Sequence, residues 1–155
     1  MTKSPLSSKR SAASVRVIVD TNIFVSGLIN PGGAPGAIID AVLDGRITPV
    51  FSAETLAELR DVMTRPRLRR FFNRAAIEPQ TLLDRLVDVS EVLEPSAAKH
   101  PIRDPKDRPF MALAIAEPSP DCLVTGDGDF ERRRYGDVPV ISASTLARLL
   151  DDQTG

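Results

Sequence analysis

One cysteine and one histidine in 155 residues close off several kinds of chemistry at the outset. With Cys122 alone there is no internal disulfide and no cysteine-rich zinc site, and a reducing cytoplasm is the expected setting. With His100 alone, a histidine-rich zinc or iron centre is excluded, and a Ser-His-Asp triad does not fit. No stretch approaches the roughly 18 apolar residues that a membrane span requires. Lys3, Lys9 and Arg10 are not followed by an apolar run, so the N-terminus does not read as a signal peptide. An excess of charge of one sign is missing too: 20 Lys+Arg against 21 Asp+Glu leave -1. That balance neither announces nor excludes a nucleic acid, because clustering decides and the net value does not.

What is present is the composition of one soluble domain, 42% hydrophobic and 26% charged. Residues 1–14 are Ser-rich and aperiodic and are expected to be a disordered tail, leaving 15–155 as the domain. Val15 to Val19 is β-branched and almost wholly apolar, the pattern of a strand buried on both faces of a parallel sheet. A loop through Pro31-Gly32-Gly33 is expected next, then a helix near 35–44 closed by Gly45. Ile47 to Phe51 reads as a second strand, and Ser52 as the N-cap of a helix with Leu56, Leu59 and Met63 at helical spacing. A short helix near 67–74 and another from Pro79 to about Val89 follow. Further strands are expected at Val92-Leu93, Cys122 to Val124 and Val138 to Ile141. The stretch 95–109 reads as loop, Phe110 to Ala116 as a helix with Pro109 in its first turn, and Ser142 as the cap of a last helix to Leu150. Strands alternating with helices predict an α/β fold with a parallel sheet of about five strands and helices on both faces.

In that architecture, sites lie beyond the carboxyl ends of the strands. Asp20 directly follows the first strand, and Asp127 and Asp129 follow the fourth. Glu58, with Glu54 as a competitor, lies on the helix leaving the second strand; Asp104 and Asp107 precede the helix that leads to the fourth. Each acid has a local explanation alone, as turn former, cap or helix-dipole partner. Several carboxylates at one edge, however, repel one another unless a cation joins them. All-oxygen ligation favours Mg2+ or Mn2+, and phosphodiester hydrolysis suits such a site.

The segments VIVDTNIFVSGL (17–28), FSAETLAELRDVM (51–63), RDPKDRPFMALAIA (103–116) and CLVTGDGDF (122–130), with VPVISASTLARLL (138–150) closing the order, resemble the PIN-domain nucleases. The likeness is specifically to the VapC-like toxin components of type II toxin–antitoxin pairs, and it spans about 15–150. It implies a PIN-like α/β sandwich and Mg2+- or Mn2+-dependent RNA cleavage. Asp20, Glu58, Asp107 and Asp127 would form an acidic metal-binding quartet. Asp129 matches a frequent extra acid that contacts metal directly or through a ligand. Asn22 and Thr125 match positions that orient ligands or substrate, and Asp104 falls to a supporting place. A small antitoxin and a second copy of the chain are the implied protein partners, and no membrane. The chain departs from the family where Lys106 and Arg108 flank Asp107 and where Glu117-Pro118-Ser119-Pro120 replaces a Gly-containing turn.

Five arginines and no acid lie between residues 65 and 74. Arg65, Arg67, Arg69, Arg70 and Arg74 are candidates to bind RNA phosphates through their planar forks. Phe71 or Phe72 would stack on a base or else pack inward. Arg132, Arg133 and Arg134 form a second basic cluster. The rival readings are a PIN nuclease with an RNA-processing role and no antitoxin, a catalytically silent RNA-binding module, and an aspartate-nucleophile phosphatase. The last wants a second acid two residues after Asp20, where Asn22 stands.

Overall fold

A computed structural model describes residues 14–94, 108–114, 119–125, 134–135 and 137–154. At its centre is β1 (Val15–Val19), which pairs in parallel with β2 (Ile47–Phe51) on one side and β4 (Cys122–Thr125) on the other. Alternation along these strands feeds two cores. Val17, Val19, Ile47, Phe51, Cys122 and Val124 point to one face, and Ile18, Val50 and Leu123 to the other. The sheet order is β3-β2-β1-β4-β6-β5, with β3 at Glu91–Val92, β5 at Arg134–Tyr135 and β6 at Val138–Ser142. All pairings are parallel except the short β5, which runs antiparallel to β6 at the sheet edge and was not among the five expected strands. The β2–β3 ladder begins only after Pro49, which has no N–H to give.

The larger core is covered by α1 (Thr21–Ile29), α2 (Ala34–Leu43), α3 (Ala53–Met63), α4 (Arg69–Ala75), α5 (Pro79–Asp88) and α7 (Ala143–Thr154). A 3-10 turn, Pro66–Leu68, joins α3 to α4. On the other face α6 (Arg108–Ala114) supplies Phe110, Leu113 and Ala114. Helices therefore cover both faces, as the alternating pattern required. Ser52 caps α3 as expected, but its reciprocal partner is the Thr55 hydroxyl, which accepts from the Ser52 N–H at 2.9 Å. Gly45 follows α2 at φ +83°, a left-handed turn in which glycine is unstrained. Ser142 Oγ accepts from the Thr145 N–H at 3.1 Å, and α7 runs four residues beyond the expected Leu150 end.

The main correction is α1, where a loop was expected. Thr21-Asn22-Ile23-Phe24-Val25-Ser26-Gly27 contains mostly weak helix formers. What holds it helical is burial of Ile23, Phe24, Gly27 and Leu28, so tertiary packing outweighs local preference. The expected tail over 1–14 and the expected loop over 95–109 fall almost wholly outside the described residues.

Helices α1 and α2 are joined by a turn that leaves no room at Gly36: a Cβ there would lie 2.1 Å from the Pro31 carbonyl oxygen. Intrinsic preference favours alanine over glycine inside a helix by about 1 kcal/mol, but a backbone atom cannot yield as a side chain can. We expect Gly36→Ala to destabilise the protein by about 1–3 kcal/mol in urea titrations. Gly32→Ala, whose Cβ would meet nothing nearer than Asn30 Oδ1 at 3.9 Å, should be close to neutral.

Candidate active site

The chain winds outward from β1 to β2 and β3, then returns to β4 and β6 on the opposite side of β1. The reversal leaves a crevice beyond the carboxyl ends of β1 and β4, where α/β sheets place their sites. Asp20 and Thr125 stand there. Asp20 is 8% exposed. Its N–H donates to the Val124 carbonyl at 3.0 Å, extending the β1–β4 ladder by one bond. Thr125 Oγ1 donates to Asp20 Oδ2 at 3.2 Å, and the Asn22 N–H donates to Asp20 Oδ1 at 3.3 Å. Asp20 is thus the N-cap of α1, its charge facing the positive end of that helix dipole.

Glu58 arrives from α3. Thr21 Oγ1, itself buried, donates to Glu58 Oε2 at 2.7 Å. Consecutive residues therefore carry one acid and hold the other, and two of the four expected acids meet at one edge. No lysine or arginine pairs with Glu58 among the described residues. Glu54, one turn earlier, lies exposed in the first turn of α3, where an acid suits the dipole. Asn22 turns its side chain to solvent and contributes its backbone N–H.

Asp104, Asp107, Asp127, Asp129, Arg132 and Arg133 lie outside the described residues. Among the described residues no group of three His, Cys, Asp or Glu is placed to hold a metal ion, only Asp20 and Glu58 of the quartet being in that set. The oxygen donors assembled there, two carboxylates steadied by hydroxyl groups, match the preference of Mg2+ and Mn2+. Cys122 supplies no nucleophile: burial, with the Asp121 carboxylate beside it, pushes its thiol up to about 12, so it stays protonated at neutral pH.

The arginines from 65 to 74 have separate surroundings. Arg65 pairs with Asp61 at 3.0 Å, and Arg69 forks onto Glu78 at 3.1 and 3.0 Å. The guanidinium groups of Arg70 and Arg74 lie 4.7 and 5.1 Å from the Phe71 ring centre. Arg74 Nη2 donates to the Ile29 carbonyl at 2.6 Å, and Arg67 is exposed. Of the two phenylalanines, Phe72 is fully buried and Phe71 packs at the margin of the core. Ile29 ends α1, a nine-residue helix roughly 13 Å long, so the segment lies one helix length from Asp20. Thr21 was not singled out from the sequence. Its only signal there is its place inside Asp-Thr-Asn, since the contact with Glu58 depends on how α3 packs on α1.

A doubly wound sheet whose switch point gathers an N-capping aspartate and a glutamate from the next crossover defines an α/β domain with an acidic edge site. The chain matches the PIN-domain family over residues 16–129 and belongs to it, a family of nucleases. It is 32% identical over 124 residues to an uncharacterized protein of Methanocaldococcus jannaschii, covering 78% of this chain and 76% of that protein. Among solved structures it resembles VapBC2 from Rickettsia felis, bound there to a DNA fragment from their promoter. The TM-score is 0.54 at 20% identity, over 83% of this chain and 98% of that one, which establishes the fold. Among the described residues no helix is long and apolar enough to cross a membrane.

If the Thr21 hydroxyl holds Glu58, Thr21→Val should cost about 1 kcal/mol of stability, the usual net value of one hydrogen bond. Thr21→Ser should retain most of it. Equilibrium urea unfolding of the two variants checks this, and a loss in Thr21→Ser with none in Thr21→Val would assign the effect to packing of the methyl group.

Proposed function

We propose that this chain is a Mg2+- or Mn2+-dependent endoribonuclease and the toxin of a type II toxin–antitoxin pair. Its acidic quartet is Asp20, Glu58, Asp107 and Asp127. The observation that carries the reading is the meeting of Asp20 and Glu58 at the β1–β4 switch point, each held by a threonine hydroxyl. Asp127 follows Thr125 by two residues in the sequence, and Asp107 directly precedes α6. The resemblance of all four segments to the family supports the remaining assignments.

Within this reading the four carboxylates hold the cation, with Asp129 as a further contact and Asp104 in a supporting role. A divalent cation held by these residues would supply the means to activate water and to offset charge on the leaving oxygen of a phosphodiester. Thr125 and Thr21 fix the orientation of Asp20 and Glu58, so the carboxylates need not reorganise when the cation arrives. The α1 N-terminus faces the Asp20 carboxylate and offsets part of the cost of burying its charge. In this reading Asn22, exposed beside Asp20, orients substrate, a role its exposure allows. Among the arginines of 65–74, those that hold no acid among the described residues offset the repulsion between this protein's acids and a long RNA backbone. The likeness to a VapBC2 structure supports a small antitoxin as partner; the reading also includes a homodimer working in the cytoplasm.

The purified protein should cleave single-stranded RNA with Mg2+ or Mn2+ and stop when a chelator is added. Asp20→Asn and Asp127→Asn should each lower the rate by orders of magnitude with the fold retained, since metal charge and not core is removed. Full activity in either variant would overturn the quartet. A further comparison sets the register: Glu58→Gln and Asp107→Asn should weaken calorimetric Mn2+ binding far more than Glu54→Gln and Asp104→Asn. Greater damage from Asp104→Asn than from Asp107→Asn would move the third ligand to Asp104. An antitoxin reading frame beside the gene separates a toxin from a processing nuclease.

A further inference from the structure

We infer that Arg67, Arg70 and Arg74, and not Arg65 or Arg69, form a stripe that grips the backbone of single-stranded RNA away from the cut. This rests on the ribonuclease reading above.

The five arginines divide by charge compensation. Arg65 and Arg69 each hold an acid, Asp61 and Glu78. Both line a cleft of about 460 Å³ over Met63 and Phe72, between the end of α3 and the start of α5. Their forks are already occupied by carboxylates, and releasing them for phosphate would expose those acids to the same polyanion. Arg67, Arg70 and Arg74 do not line that cleft and pair with no acid among the described residues. They recur at steps of three and four residues, which places them along one side of the 3-10 turn and α4, at rises of roughly 5–6 Å.

Two of the three are held in place. Arg70 and Arg74 lie on the Phe71 ring, and Arg74 is tethered to the Ile29 carbonyl. Stacking fixes a guanidinium plane while leaving N–H edges for phosphate oxygens, so less side-chain freedom is lost on binding. Phe71 is already covered by these groups and Phe72 is buried, so the stripe has no free aromatic ring for a base. It should therefore read backbone charge and not sequence. Because the Arg74 tether lies at the opposite end of α1 from Asp20, the gripped phosphates are some nucleotides distant from the scissile one. A dinucleotide held at Asp20 does not reach them.

The test measures fluorescence anisotropy of labelled oligouridylate and oligoadenylate across a salt series, in an Asp20→Asn background that prevents cleavage. Arg67→Ala/Arg70→Ala/Arg74→Ala should flatten the slope of log affinity against log salt by roughly two units, equally for both oligomers. Arg65→Ala/Arg69→Ala should leave the slope unchanged. Arg67→Ala alone should flatten it by roughly 0.7, and because this side chain is exposed and pairs with no acid among the described residues, the change is not an effect of misfolding. In the otherwise wild-type protein, Arg67→Ala/Arg70→Ala, which keeps the Arg74 tether to Ile29, should raise KM for long RNA far more than for a dinucleotide. An unchanged slope in the Arg67 and triple variants, or an equal change in the Arg65/Arg69 pair, would overturn the stripe. If the wild type cleaves neither long RNA nor dinucleotide with Mg2+ or Mn2+, the ribonuclease reading fails instead.

Discussion

Asp20 places a carboxylate, 8% exposed, at the point where the sheet reverses its winding, and the surrounding structure is organised around that placement. A buried charge is costly unless donors meet it. Here they come from three directions: a hydroxyl from β4, a backbone N–H from the first turn of α1, and the dipole of that helix. Each depends on β1 lying between β2 and β4, which in turn depends on both its faces being packed. Val17 and Val19 anchor one core and Ile18 the other. The site is a consequence of a strand with no solvent-facing side.

The opposite end of the same strand shows how differently charge is treated away from the site. Arg16 donates from its side chain to Glu91 and to the Ser119 carbonyl, and its N–H donates to Asp121 Oδ2 at 2.8 Å. There cation and anion are matched within the protein, tying β1 to the outer strand and to the entry of β4. At the carboxyl end Asp20 and Glu58 are steadied by neutral hydroxyl groups, which orient a carboxylate without cancelling its charge. A neutral scaffold around acids retains the field that attracts a divalent cation.

How much of this could be read from sequence follows from which forces are local. β1, β2 and β4 were legible because buried strands need apolar runs, β6 because its short apolar run ends at a capping serine, and α3 because Ser52 announces its start. α1 was not, since its residues favour helix only once Ile23 and Phe24 are buried. β5 is two residues long and has no pattern of its own. Asp20 could be placed at the sheet edge because position after a strand is a topological fact, whereas Thr21 acquires its role only through the approach of Glu58. The arginine segment was legible as basic, but the Asp61 and Glu78 contacts that divide it lie in flanking helices and loops. Of adjacent Phe71 and Phe72, only the packing of α4 decides which one turns inward.

The tether from Arg74 to the Ile29 carbonyl has one more consequence. α1 contains no charged residue, so nothing within it complements its own dipole. The anion at its start and the cation at its end are both supplied from outside the helix, one by the residue before it and one by α4. The helix is therefore an electrically loaded strut, negative group against positive pole and positive group against negative pole. Its two loads act in the same direction, but bulk salt shields the exposed Arg74 end far more than the buried Asp20 end. An apolar nine-residue segment with poor helical preference owes part of its persistence to two charges that it does not contain.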